Sequence, residues 1–109
     1  MIKQLMFTAL VVINATAALA ADVTVTGNIV TIQNYEGHDG PLVVLNDMTQ
    51  TSGLCQRNEF YILPLNHQYA AQDYAMLLGA KIAGKTVNIT VADGDCLQDL
   101  PRIKHLSIN

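Results

Sequence analysis

One helix-type stretch separates three β-type runs from two more, and this order most constrains the fold. Residues 69–83 are rich in helix formers and are followed by Gly84, whereas the runs on either side are short and rich in β-branched residues. Apolar residues three or four positions apart are typical of a helix, and apolar–polar alternation is typical of a strand. The sequence therefore predicts three strands, one helix and two strands.

Five runs have strand character, and they are 23–32, 42–45, 54–63, 86–91 and 103–108. The first run contains Gly27, and its alternation changes phase between Ile29 and Val30. An interior glycine with a change of phase is typical of a bulged strand. We therefore expect the first strand to bend and to pair within two sheets at once.

The predicted helix carries one apolar stripe, made of Tyr74, Leu77, Leu78 and Ile82. A stripe at this spacing normally faces the core. Asn66 is the expected N-cap and Gly84 the expected C-cap. Gly79 costs a helix about 1 kcal/mol relative to alanine, so its presence predicts that another backbone passes close to it.

The N-terminus has the three parts of a secretory signal peptide: Lys3, the apolar run 5–13, and the small-residue site Ala18-Leu19-Ala20. The apolar run is well short of the roughly 20 residues that a membrane-spanning helix needs. We predict cleavage after Ala20, which removes 20 of the 109 residues and leaves 89. Residues 21–109 would then form one small domain, either periplasmic or secreted.

Two cysteines, Cys55 and Cys96, lie 41 positions apart in this predicted domain. A domain of this size is marginal on its hydrophobic core alone, and small exported domains often add a disulfide. We therefore predict a bond between the two cysteines. Closing a loop of this length contributes about 4 kcal/mol through the reduced entropy of the unfolded chain.

The charge balance bears on the choice of partner. The formal charge is −3, and removal of Lys3 with the signal peptide makes it −4. Phosphate backbones and anionic membranes are bound by clustered Lys and Arg, and no such cluster is present. We therefore expect no nucleic-acid partner, and no membrane insertion after signal cleavage.

Five short strands with a helix between the third and the fourth predict a mainly β fold of the OB type. That fold is a five-stranded Greek-key barrel, and a bent first strand suits it because the strand serves both halves of the barrel. The alternative is an open α+β sheet with the helix on one face.

The last forty residues also resemble a known group of proteins. The helix Asp73–Lys81 leads into Gly84–Ile89, and then come Cys96 and the closing strand Ile103–Asn109. This outline resembles small exported bacterial OB-fold domains, typified by the cell-binding B subunits of AB5 toxins. The resemblance implies a toxin-like, ring-forming subunit that binds a host glycan. No receptor-contact residue can be carried over from that family.

Residues suited to catalysis do not converge in the sequence. His38, His67 and His105 are scattered, and neither Ser52 nor Ser107 lies in a nucleophile-elbow context. Both cysteines are assigned to the disulfide. We therefore expect no catalytic site, and a small secreted hydrolase is the weakest of three interpretations.

Two acidic segments contain some of the residue types that bind metal ions. Asp93-Gly94-Asp95 with Asp99 resembles the start of a calcium loop, but the further ligands of an EF-hand are missing. Glu36, His38 and Asp39 could meet on one loop surface. Polar solvated loops explain both segments better, so we predict no metal and no cofactor.

Two loops remain as candidates for ligand binding, because in OB folds the corresponding loops flank the usual binding face. Their candidate residues are Tyr35, Glu36, His38, Asp39, Asp93 and Asp95. The sequence thus favours an exported, non-enzymatic binding module that recognises a protein or a glycan. A ring-forming, toxin-like B subunit is the second interpretation, and a homo-oligomer remains open.

Overall fold

The computed structural model describes residues 21–109. The predicted signal peptide, residues 1–20, lies outside the described residues, and its cleavage stays a prediction. The regular elements are β1 (Asp22–Gln33), β2 (Leu42–Leu45), a short 3-10 turn (Thr49–Thr51), β3 (Tyr61–Ile62), α1 (Ala70–Ala83), β4 (Thr86–Ala92), β5 (Cys96–Leu97), β6 (Leu100–Pro101) and β7 (His105–Ile108). The fold is mainly β with one helix between β3 and β4, as predicted.

The main sheet has five antiparallel strands in the order β3-β2-β1-β4-β7. Strand β1 is shared: residues 22–28 pair with β4, and residues 29–33 pair with β2. The register shifts between Ile29 and Thr31, which confirms the predicted bulge. Gly27 lies near the crossover, where a Cβ would come within 2.6 Å of Asn46 Oδ1. The glycine therefore lets the Asn46 side chain approach the bent strand.

The expected closed barrel is not formed. Within residues 21–109 the edge strands β3 and β7 do not pair, and an isolated parallel bridge between Ile62 and Arg102 is all that links the ends of the sheet. Strand β3 is only two residues long. Directly after the bridge, Ile103 donates its N–H to the Ile62 carbonyl and buries its side chain in the core. The pairing therefore ends after a single bridge.

Two strand boundaries differ from the prediction. The third strand covers Tyr61–Ile62 rather than 54–63, because residues 56–59 are consecutive polar residues without alternation and form a loop. The last strand begins at His105 rather than Ile103, since Ile103 turns into the core. The hairpin of β5 and β6 was not predicted. Its turn residues Gln98 and Asp99 have φ of 52° and 67°, a left-handed conformation that alternation cannot signal.

The helix is in the predicted place, but its caps and its buried face differ. It ends at Gly84, whose φ is 68° and whose N–H bonds back to the last turn, as expected of a C-cap. Asn66 does not cap the helix, which begins at Ala70. No atom lies within 4 Å of a Cβ placed on Gly79, so the predicted close backbone passage is wrong.

The predicted apolar stripe is only partly buried. Leu77 is buried and Tyr74 is half-buried, but Leu78 is 39 % exposed and Ile82 is 86 % exposed. The face against the sheet carries Leu77, Ala80 and the carboxylate of Asp73 instead. Nearly every side of this helix is apolar, so periodicity could not choose between faces.

The predicted disulfide is present. Cys55 and Cys96 are bonded with their Cα atoms 5.9 Å apart, within the usual range of about 4.4–6.8 Å. Cys55 lies in the loop before β3 rather than in a strand, and Cys96 begins β5. Two backbone hydrogen bonds flank the bond, Gly94 N–H to Leu54 O and Arg57 N–H to Asp99 O. Bond and backbone together hold this loop against the β5–β6 hairpin.

The core lies between the sheet and α1. Its fully buried members come from every long element and include Val25, Val43, Tyr61, Leu77, Val87 and Ile103. The Tyr61 hydroxyl is paired with Thr51 Oγ1 at 2.9 Å, so the one polar group of this ring is satisfied. Among the helices of residues 21–109, none has the length and apolar character to cross a membrane.

Candidate functional site

A groove lies between the β1–β2 loop, the segment that follows β3 and the first turn of α1. Its volume is about 520 Å³. The lining residues are Asn34, Tyr35, His38, Gly40, Pro41, Leu63, Leu65, Ala70, Ala71 and Tyr74. Most of them are apolar, and none carries a Lys, Arg, Asp or Glu side chain. Such a composition suits an uncharged ligand with an apolar body.

The floor of the groove depends on Gly40. A Cβ at this position would overlap the carbonyl oxygen of Leu63, so only glycine lets the two backbones approach. The approach is fixed by two hydrogen bonds, Leu63 N–H to Pro41 O at 2.9 Å and Leu65 N–H to Asp39 O at 3.0 Å. The β1–β2 loop and the wall at Leu63–Leu65 are therefore held together by direct backbone contacts.

The tip of the β1–β2 loop is held by Gln98, which projects from the β5–β6 turn. Its amide oxygen accepts from Asp39 N–H at 2.8 Å, and its amide nitrogen donates to Gly37 O at 2.7 Å. One side chain thus satisfies two backbone groups on either side of His38. We call this contact the Gln98 clamp.

His38 forms part of the groove wall. Its Nδ1 atom is buried and has no hydrogen-bond partner among the described residues. The ring of Tyr35 lies next to it, with the ring centroids 6.0 Å apart and the planes inclined by 41°. Buried polar atoms in proteins nearly always have a partner, so this unpaired nitrogen is an exception within the described part of the chain.

The aromatic rings of the groove differ in exposure. Tyr35 is 56 % exposed, whereas Tyr74 is half-buried on α1, where its hydroxyl accepts a long hydrogen bond of 3.4 Å from the Asn34 amide. Leu65 is 69 % exposed at the opposite rim. The mouth therefore presents one aromatic ring and one aliphatic side chain to solvent.

The other predicted ligand residues lie elsewhere. Glu36 is exposed on the loop but does not line the groove, and Asp39 borders a second depression of about 260 Å³ that Leu65 also lines. Asp93 is exposed in the turn after β4. Asp95 forms a two-pronged pair with Arg102, with both N–O distances 3.0 Å, and this pairing raises the pKa of Arg102. The two predicted loops thus do meet, but through Gln98 of the second loop, whereas Asp93 and Asp95 do not reach the groove.

A second cluster of ionisable groups lies at the start of α1, outside the groove. His67 Nδ1 accepts from Tyr69 N–H at 3.0 Å, which leaves the proton on Nε2 for donation to Lys104 O at 2.8 Å. Asp73 Oδ2 lies 3.7 Å from that Nδ1 atom, and burial raises the pKa of the Asp73 carboxyl above its usual value. His67 thus organises the entry to the helix, the role that the sequence assigned to Asn66.

The sequence pointed to Tyr35 and His38 but not to the other half of the groove. Leu65 and Tyr74 join them through packing between distant elements. The sequence feature that could have indicated this half of the groove is Leu65 directly after Pro64. A large aliphatic residue in a turn after a proline often has no place in the core and is left exposed. Of the two tyrosines outside the groove, Tyr61 lies in the core and Tyr69 is 52 % exposed.

Within residues 21–109, no three His, Cys, Asp or Glu side chains gather in a group that could hold a metal ion. Comparison with known proteins finds no match to this chain among family models, curated proteins or solved structures.

Proposed function

We propose that this protein is an exported, non-enzymatic binding module, and that the groove takes an apolar side chain of a partner protein. The observation that carries the proposal is the groove of about 520 Å³ with its uncharged lining and exposed rim. The signal-type N-terminus supports export into the periplasm or the medium.

The chemistry of the wall supports an apolar group with one hydrogen-bonding function. Pro41, Leu63 and Leu65 offer aliphatic surface, and burying apolar area stabilises a complex by about 25 cal/mol per Å². The exposed side-chain amide of Asn34, which also lines the groove, offers the partner a polar contact. A backbone amide beside an apolar side chain has this combination, which favours a peptide segment.

We further propose that the domain has OB-type connectivity in an unclosed form. The strand order, the helix between β3 and β4, and the parallel contact of Ile62 with Arg102 support this arrangement. The bent β1, which serves β2 on one side and β4 on the other, supports it as well.

A glycan is the second candidate ligand, and Tyr35 is the observation that favours it. An exposed tyrosine at the rim of a groove can stack on the apolar face of a sugar ring, and Asn34 is next to it for hydroxyl contacts. A toxin-like, ring-forming subunit would use such a site.

The test is an NMR titration of the exported, isotope-labelled protein with small probes. N-acetyl-leucinamide and N-acetyl-phenylalaninamide represent a peptide, N-acetyl-glycinamide is their control, and a panel of methyl glycosides represents a glycan. We expect the two apolar amides to shift the signals of Tyr35, His38 and Leu65. Intact mass of the same sample should correspond to a chain that begins at Ala21.

Leu65→Asp is the variant that tests the site, because Leu65 is largely exposed and its replacement spares the core. It should weaken the effect of the apolar amides, whereas Ile82→Asp, another exposed aliphatic position outside the groove, should leave it unchanged. Shifts with glycosides alone would favour the glycan. No shift in the groove with any probe would refute it as the recognition site.

A further inference from the structure

The groove shares Leu65 as a lining residue with the second depression, whose volume is about 260 Å³. The other residues that line this depression are Asp39, Asn66 and Leu97. The groove has no charged side chain in its lining, whereas the second depression has an acidic one. A ligand that occupied both would therefore pass from an uncharged surface to an acidic one across a single leucine.

The backbone of Asp39 is held on both sides. Its N–H donates to the side-chain amide oxygen of Gln98 at 2.8 Å, and its carbonyl oxygen accepts from Leu65 N–H at 3.0 Å. The second of these bonds keeps Asp39 beside the leucine that both depressions share. The base of the acidic side chain is therefore positioned before a ligand arrives, and such preorganisation reduces the entropy that is lost on binding.

The carboxylate of Asp39 is available to a ligand. Asp39 is exposed, and within residues 21–109 its side chain takes part in no ion pair and no hydrogen bond. Glu36, which is exposed on the same loop, has no ion-pair partner there either. No lysine or arginine lines the groove or the second depression. Charge complementarity therefore favours a cationic group at this position.

We propose that the groove and the second depression together recognise a peptide segment with an apolar side chain and a lysine or arginine one or two positions apart. This inference rests on the proposed function, since it adds a second subsite to the same groove. The apolar side chain packs on Leu63 and Leu65, and the cation meets Asp39. Consecutive Cα atoms are about 3.8 Å apart, so side chains this close along a peptide can enter two depressions that share a lining residue.

The cation should contribute specificity more than affinity. An ion pair in contact with water is weak, and its usual contribution corresponds to about a two- to fivefold change in an equilibrium constant. Burial of the apolar side chain in the groove supplies most of the binding free energy. We therefore expect a modest preference for lysine over a neutral residue, and salt should reduce it.

The test is an NMR titration of the exported, isotope-labelled protein with short peptides that are acetylated and amidated at their ends. The peptides hold leucine and lysine in either order, joined directly or through one glycine, and in a matched set glutamine replaces lysine. At low salt at least one lysine peptide should bind about two- to fivefold more tightly than its glutamine counterpart. Its addition should shift the signals of both Leu65 and Asp39.

Asp39→Asn is the variant that tests the second subsite, because it removes the charge and keeps the backbone N–H and carbonyl that hold the loop. It should abolish the preference for lysine. Asp93→Asn is the matched control, since Asp93 is exposed and lines neither the groove nor the second depression. This variant removes the same charge from the domain and should retain the preference.

Three results would overturn the second subsite: equal affinities for lysine and glutamine peptides, a lysine preference that survives Asp39→Asn, or equal losses in Asp39→Asn and Asp93→Asn. The last would trace the preference to the net charge of the domain. In each of these cases the glutamine peptides still shift the signals of Leu65, and the groove remains a recognition site. If no peptide shifts the signals of the groove, the proposed function is refuted and the second subsite with it.

Discussion

Gly40 and Gln98 each fix a whole segment of the groove through a single feature. Gly40 acts by lacking a Cβ, because the Leu63 carbonyl occupies that space. Gln98 acts through an amide that can donate and accept at once, and so it satisfies two backbone groups of one loop. Neither residue could be singled out from the sequence, because the role of each depends on contact with backbone that lies far away along the chain.

Replacing Gly40 by alanine should be strongly destabilising. The new methyl group would overlap backbone rather than a movable side chain, so the loop or the Leu63 wall must shift. We expect a loss of about 3 kcal/mol or more in the free energy of unfolding, measured by denaturant titration. Gly79→Ala is the matched control: it is exposed within α1 with open space around it, and it should stabilise by about 0.5–1 kcal/mol. Equal effects at both positions would contradict the proposed close approach.

Asp73 predicts a pH dependence of stability. Burial raises the pKa of its carboxyl in the folded protein above the usual 3.8, against the attraction of His67 and His105. The ionised group therefore destabilises the fold at pH values above the raised pKa, and this cost disappears as the pH falls below 3.8. Asp73→Asn should thus be more stable than the wild type at neutral pH, with the difference shrinking in acid. Thermal unfolding at several pH values measures it.

Asp47 provides the control of opposite sign. Hydrogen bonds from Thr49 lower the pKa of its carboxyl, so the charged form stabilises the fold above the ordinary pKa and that contribution is lost as the pH falls. Asp47→Asn should therefore be less stable than the wild type at neutral pH. An Asp73→Asn difference that does not change with pH would show that packing, not charge, is responsible.

At the scale of elements, the sequence was reliable where the signal was local. The bulge in β1 followed from a phase change at Ile29 and Val30, and the helix end followed from Gly84. Prediction from the sequence failed where the structure depends on contacts between segments that are far apart along the chain. The buried face of α1 was predicted only in part, with Leu77 correct and Ile82 wrong, because the helix is apolar nearly all round. Half of the groove was missed because Leu65 and Tyr74 reach Tyr35 only through tertiary packing.

The Gln98 clamp makes a prediction about the β1–β2 loop. Gln98→Ala removes two hydrogen bonds, each with a net contribution of about 0.5–1.5 kcal/mol. The Asp39 amide should therefore exchange with solvent roughly tenfold faster or more in hydrogen-exchange NMR, while the core amides of β4 stay protected. Asp99→Ala changes the neighbouring left-handed position of the same turn without touching the clamp, and should spare Asp39. If the Asp39 amide exchanges equally fast in both variants, the effect comes from the β5–β6 turn and not from the two hydrogen bonds of Gln98.

At the scale of the whole molecule, the two ends of the open sheet are joined by little more than the bridge between Ile62 and Arg102. The disulfide lies beside that junction. It links the loop before β3 to β5, and it encloses β3, α1 and β4 within the loop that it closes. The covalent bond therefore compensates for the missing strand pairing, because it limits how far the segments on either side of the junction can separate in the unfolded chain.

Loss of the disulfide should lower stability by about 2–5 kcal/mol, against the roughly 5–15 kcal/mol of a typical domain. Neither cysteine is fully buried, so little packing is lost with the bond, and the effect should come mainly from the unfolded chain. The Cys55→Ala, Cys96→Ala double variant and the reduced wild type should therefore unfold at the same denaturant concentration, both below the oxidised protein. The variant should not respond to reductant, which controls for other effects of the reagent. If the oxidised protein and the double variant unfold together, the bond contributes nothing to stability, and non-covalent contacts alone hold the loop before β3 against β5.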